Sequence, residues 1–220
     1  MAPTIHIIRH AHAFNNIPDL TYLRDPKLTE RGHKQCQTLA AELAELGEIE
    51  VVVASPLQRS IQTALAAFKT YTQSKRIMLL AELQEVQARS DIGSSLDDLA
   101  NQYGYERLDY SNIPYNWTNK SPSSPYAPSK SVVRARATRA FLREVCKHYL
   151  ETNINICVVT HAMYIRNLVQ DGRDVFKNAE WRSYQFNQLE GSDVEASLTE
   201  THQTPVGPRE RRSRSPPSES

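Results

Sequence analysis

Thr4-Ile5-His6-Ile7-Ile8-Arg9-His10-Ala11 opens the chain, and Ile154-Asn155-Ile156-Cys157-Val158-Val159-Thr160-His161-Ala162 answers it far downstream. Each is a short apolar, β-branched run ending at a polar residue followed by histidine. Runs of this length and branching read as strands buried on both faces, as in a parallel sheet. Two such strands bring two imidazoles to one sheet edge. Ile49-Glu50-Val51-Val52-Val53-Ala54 has the same character and leads into Ser55-Pro56-Leu57-Gln58-Arg59, which adds a cation to the same edge.

The segments between these strands change period. From Leu28, the residues Cys36, Leu39, Ala40, Leu43 and Leu46 fall at helical spacing, with Thr29 as N-cap and Gly47 as the stop. Ser55 and Pro56 look like the cap and first residue of a second helix, whose core stripe is Leu57, Ile61, Ala64, Leu65 and Phe68. Residues 77–80 form another strand, followed by an irregular stretch through Glu82, Glu85 and Asp91. Ser94 or Ser95 caps a short helix running to about Tyr103. Residues 131–150 and 162–168 return to helical period, and 181–189 alternate like an edge strand. Strand and helix in repetition predict a three-layer α/β/α sandwich with a mostly parallel central sheet. Reactive groups then belong outside the carboxyl ends of the strands, where Arg9, His10, Ser55 and His161 fall.

Residues 104–130 are unlike their surroundings. They hold Pro114, Pro122, Pro125 and Pro128 among several aromatics, including Tyr105, Tyr110, Tyr115, Trp117 and Tyr126. A loop this long inside a compact domain is functional or disordered, and its aromatics favour an ordered lid. After residue 189 the composition shifts to Ser, Thr, Pro, Glu and Arg. This predicts one domain over 1–189 and a disordered tail over 190–220, whose arginines suit a solvated tail better than a nuclear localisation signal or a phosphorylation-regulated patch.

Composition narrows the function. A chain of 220 residues, 40% hydrophobic, supports one sizeable core. A net charge of +1 leaves no global footprint for nucleic acid or acidic membranes, so neither is expected as a partner. Cys36, Cys146 and Cys157 each lie in an apolar run and read as buried free thiols of a reducing compartment. The amino terminus lacks the basic-then-apolar pattern of a signal peptide, and no apolar run is long enough to span a bilayer. A cytoplasmic or nuclear location follows as the expectation. Oligomeric state is left open.

The strand-end groups suit phosphoryl transfer. That chemistry needs a nucleophile, compensation for charge on the equatorial oxygens, and an acid for the leaving oxygen. A neutral imidazole serves as nucleophile near pH 7, and arginine binds phosphate through a planar fork that stays charged. Helix amino ends near Ser55 and Ala162 would add backbone donors. His6, His10 and His12 share one side of an extended strand, yet no Cys or carboxylate stands at supporting spacing for a metal. Asp97 and Asp98, at a helix start, complement the dipole. No metal or organic cofactor is implied.

Four segments together resemble the histidine phosphatase superfamily, also called phosphoglycerate mutase-like. They are Arg9-His10-Ala11 with Asn16 beyond it, Leu28 to Gln35, Ser55 to Arg59 with Gln62-Thr63, and Val159-Thr160-His161. The resemblance implies that His10 is the phosphorylated nucleophile, that Arg9, Asn16, Arg59, His161 and Ala162 line the phosphate pocket, and that Glu85 is the proton donor, with Glu82 as the alternative. It implies a phosphatase acting on a small-molecule phosphate ester or a phosphopeptide. A phosphoglycerate mutase-type transferase is less favoured, since Ser90 to Tyr110 does not resemble the mutases' additional motifs. A non-catalytic phospholigand-binding regulator would be expected to have lost the nucleophile or an arginine, and both are kept. Ala11 replaces the glycine commonest after the nucleophile, and His12 stands where many members have glutamate.

Overall fold

The computed structural model describes residues 2–86, 89–150, 152–170, 175–189 and 197–201. Among these the strands are β1 (Thr4–Arg9), β2 (Ile49–Ala54), β3 (Ile77–Leu79), β4 (Leu108–Asp109), β5 (Asn155–Thr160), β6 (Trp181–Phe186) and β7 (Leu198–Glu200). The helices are α1 (Glu30–Ala44), α2 (Gln58–Ala67), α3 (Leu96–Tyr103), α4 (Ser131–His148) and α5 (Ala162–Val169). One sheet takes all the strands in the order β4-β3-β2-β5-β1-β6-β7. The first five in that order run parallel, while β6 and β7 are antiparallel additions on the side of β1.

Alternation along the central strands makes the layers. Ile8, Val52, Ala54, Cys157 and Val159 point to one face and pack with Leu39 and Leu43 of α1, Leu57 and Ile61 by α2, and Leu99 of α3. Ile5, Ile7, Val53, Ile156 and Val158 point to the other, against Ala135, Leu142 and Cys146 of α4 and Tyr164, Ile165 and Leu168 of α5. Each fully buried Ile, Val or Leu contributes about 1.5–3 kcal/mol, and the two faces form the two halves of the core. The expected three-layer architecture with a mostly parallel sheet is therefore what the chain adopts. All three cysteines are buried and unpaired. Among the described residues no helix is long and apolar enough to cross a membrane.

The helix ends follow local chemistry. Thr29 accepts a hydrogen bond from the Gly32 amide at the start of α1, and Ser95 accepts from Asp98 at the start of α3. Gly47, with φ +80°, makes the turn after α1 in a region that a side chain would strain. Gly93 answers a different constraint: a Cβ there would lie 1.8 Å from the ring of Trp117. Trp117 is fully buried, and so the middle of 104–130 is a piece of the core.

Four local expectations change. The second helix starts at Gln58 because the backbone of Ser55 still belongs to the sheet, its amide donating to Val159, while its hydroxyl accepts from the Leu57 amide. The segment read as an edge strand ends at Phe186 and is flanked on both sides, by β1 and β7. β7 itself lies inside the stretch assigned to a disordered tail from residue 190. Its pairing with β6 supplies the backbone hydrogen bonds that composition could not foresee, so the sheet extends to Glu200; residues 202–220 lie outside the described residues. Residues 104–130 are not a loop throughout, since β4 pairs with β3 and Tyr110 and Tyr126 are buried.

Candidate active site

Register brings the two histidines together. β1 and β5 are neighbours with Arg9 opposite Thr160, so the next residue of each strand lies at the same sheet edge. The rings of His10 and His161 are 5.1 Å apart, centroid to centroid, tilted by 54°. Both are buried. Nδ1 of His10 donates to the carbonyl of Ala11 at 2.8 Å, which places the proton of the neutral ring on Nδ1 and leaves the lone pair on Nε2. His161 is held at the opposite nitrogen: its Nε2 lies 2.8 Å from Ser55 Oγ and 3.3 Å from Ser60 Oγ. Its Nδ1 is buried without a protein partner.

Burial, reinforced by the arginines, disfavours the protonated form of both rings. Burial lowers His10 well below the ordinary histidine value, and Arg59 and Arg9 add to the effect. His161 is lowered in the same way, by burial first and then by Arg59, His10, Arg9 and Lys120. Arg59 is wholly buried on the first turn of α2, with one terminal nitrogen donating to Ser90 O at 2.9 Å and the other paired to Asp91 at 2.7 Å. Arg9 donates to Phe176 O at 2.5 Å. The Nε atoms of both arginines are buried without protein acceptors.

Asn16 reaches the site by a tight turn after Ala13. Its Oδ1 accepts from the Ala13 amide at 3.0 Å and from Asn178 Nδ2 at 3.1 Å, which fixes the amide so that Nδ2 is the end left for an anion. Asn178 also donates to His10 O at 3.2 Å, tying the segment before β6 to the strand end of β1.

Glu85 sits where the chain leaves β3 through a single turn at Ala81–Leu83. That turn is stapled from two sides: Thr160 Oγ1 donates to Leu83 O at 2.6 Å, and Arg134 Nη1 donates to Glu82 O and Gln84 O at 3.0 and 2.9 Å. The Glu85 carboxylate accepts from the amides of Met163 and Tyr164 at 3.0 and 3.1 Å, at the start of α5. These donors and Arg59 favour the ionised form, but burial and Asp91 outweigh them and push Glu85 up to about 7. Glu82 points elsewhere, lining a surface cavity of about 420 Å³ with Tyr126, Lys130 and Arg134.

His10, His161, Arg9, Arg59, Asn16 and Glu85 are thus gathered at one end of the sheet, with Ala162 opening α5 beside them. The expected helix-end donors are differently used. Asp25, buried, accepts from the Gln58 amide at 2.9 Å, and Glu85 takes the two amides that follow Ala162, so carboxylates of the chain occupy much of both amino ends. His6 belongs to the core, its ring held by Ser183 and Asn155.

Several site residues escaped the sequence reading. Ser55 looked like a cap because Ser-Pro is a common helix start; it holds His161 instead. Asp91 stood in a patternless stretch, and only the fold puts it against Arg59. Lys120 comes from the middle of 104–130, where no periodicity marks it, and donates to Gln84 beside Glu85. Asn178 carried no signal in the sequence.

A family model described as histidine phosphatase superfamily (branch 1) matches residues 5–205. Among curated relatives, a Schizosaccharomyces pombe protein named as a probable phosphatase is 28% identical over 177 residues, covering 74% of this chain and 76% of its own. A 2,3-bisphosphoglycerate-dependent phosphoglycerate mutase of Bartonella tribocorum is 26% identical over 172 residues, 77% of this chain and 81% of the mutase. A solved mycobacterial glucosyl-3-phosphoglycerate phosphatase shares the fold with a TM-score of 0.58 at 16% identity, over 90% of this chain and 96% of that one.

Proposed function

Because the chain belongs to the histidine phosphatase superfamily, we propose that it is a phosphomonoesterase working through a phosphohistidine on His10. The observation that carries this reading is the tethering of His10 Nδ1 to Ala11 O, which directs the Nε2 lone pair into a pocket of arginines. Nε2 attacks the phosphorus, the bond to the leaving oxygen breaks, and Glu85 gives that oxygen its proton. Water then attacks the phosphohistidine while the Glu85 carboxylate takes up a proton, releasing inorganic phosphate and restoring both groups.

The other groups act on charge. Arg9, Arg59, Asn16 and the Ala162 amide hold the phosphoryl oxygens. With the hydroxyls of Ser55 and Ser60 acting as donors to His161 Nε2, the ring carries its proton on Nδ1, the nitrogen without a protein partner. His161 is therefore a neutral hydrogen-bond donor to the phosphoryl group, and its low basicity keeps it from competing with Glu85 for the proton.

The test uses a generic aryl phosphate at pH 5.5–7, with acid-labile, base-stable phosphate on the protein trapped by rapid quench. Label should map to His10, and His10→Ala should lose both label and turnover. Full turnover in that variant, with label elsewhere, would remove the proposal. The Bartonella relative supports a second reading, phosphoryl transfer between positions of a phosphoglycerate. Release of phosphate to water in preference to transfer onto 3-phosphoglycerate separates the two.

A further inference from the structure

Lys120 is a cation beside the site that the mechanism above does not use. It enters the site from the 104–130 segment, and its ammonium donates to Oε1 of Gln84, immediately before Glu85. The Gln84 side chain also donates to Ala81 O and Trp117 O, so it is locked in place as a neutral acceptor. Burial, together with Arg134 and Arg59, lowers Lys120 to about 7, against the opposing pull of Asp91 and Glu85. A half-buried ammonium among arginines, resting on an uncharged amide, is poorly compensated.

Position says what would compensate it. The phosphoryl group is surrounded by Arg9, Arg59 and His161, whereas Glu85 marks the side on which the leaving group departs. Lys120 lies on the Glu85 side, one residue away through Gln84. Its carrier segment, anchored by the buried Trp117, bears on the same ground.

We infer that Lys120 is a specificity-determining residue, pairing with a second anionic group, carboxylate or phosphate, that the leaving group carries a few bonds from the ester oxygen. The inference rests on the phosphatase reading and narrows its substrates to compact esters whose leaving group carries an anion of its own. Aryl and prenyl phosphates, which lack that group, would still be hydrolysed but more slowly than esters that carry it.

Two pairs of esters test it, each differing only in the second anion: O-phosphoserine against O-phosphoethanolamine, and propane-1,3-diol bisphosphate against propyl phosphate. The unaltered chain should prefer the anionic member of at least one pair by about 10- to 100-fold in kcat/KM, the range of a charge-assisted hydrogen bond. The pair showing it identifies the anion. Lys120→Met should shrink that preference to within about threefold, and Lys120→Arg should keep most of it. If Lys120→Met folds poorly, Lys120→Gln carries the same comparison. No preference in either pair, or a preference intact in Lys120→Met while both members slow in proportion, overturns the inference and leaves Lys120 as a fastening for its segment. Failure of the unaltered chain to hydrolyse any ester overturns this inference and the phosphatase reading together.

Discussion

The ends of β1 and β5 carry the same residue type at the same level of the sheet, yet present opposite nitrogens to the space between them. At the end of β1, His10 bonds its own backbone through Nδ1 and offers Nε2. At the end of β5, His161 is held at Nε2 by Ser55 of the β2–α2 turn and Ser60 of α2, and offers Nδ1. On the proposed mechanism the first arrangement presents a lone pair and the second a proton. On that mechanism, what separates nucleophile from donor is not the imidazole but the atom that holds its far side.

The largest effect should come from breaking that asymmetry at His10. His10→Ala is expected to lower kcat by about 10⁴-fold or more, since loss of a covalent nucleophile is not partially compensated. Equal loss and equal absence of phosphoenzyme in His161→Ala would abolish the distinction between the two.

Glu85→Gln comes next. Loss of the general acid should cost about 10²- to 10⁴-fold on an alkyl phosphate, and much less on an ester with a good leaving group. The proposed mechanism needs Glu85 protonated, so kcat/KM should fall as pH rises through about 7, and that limb should vanish in the Gln variant. Stability should move with it. A carboxyl raised in the fold contributes stability below its ordinary value of 4.5 that is lost as pH rises to about 7, so Tm of Glu85→Gln should be flatter across that window. The histidines act in the opposite sense, being lowered by the fold: their contribution is present above 6.5 and lost as pH falls.

His161→Ala removes one preorganised donor and should cost about 10²- to 10³-fold while phosphorylated His10 still forms, slowly, in rapid-quench labelling. Ser55→Ala should cost only several-fold, the worth of one neutral hydrogen bond. It sharpens the comparison most, because ¹⁵N chemical shifts of His161 should then report a mixture of tautomers while those of His10 stay fixed.

Much of this was legible because the reacting groups sit at the ends of long, strongly patterned runs. β1, β2 and β5 have burial on both faces, so composition alone marks them, and the residue after each strand is placed by register. β4 and β7, of two and three residues, owe their existence to a partner strand and have no pattern of their own. Choosing between Glu82 and Glu85 needed the turn at Ala81–Leu83, which sends one carboxylate outward and the other to α5. Lys120 and Asp91 became visible only once distant loops were packed together.

The contact between Gly93 and Trp117 has a consequence for anyone wishing to retune this enzyme. Two segments, one bearing the anchor for Arg59 and the other bearing Lys120, fit by volume, with no room for even a methyl group between them. Transplanting 104–130 from a relative therefore brings a matching demand on the residue at position 93. Libraries that vary either stretch alone will be populated mainly by misfits, whereas paired cassettes covering both keep the joint intact.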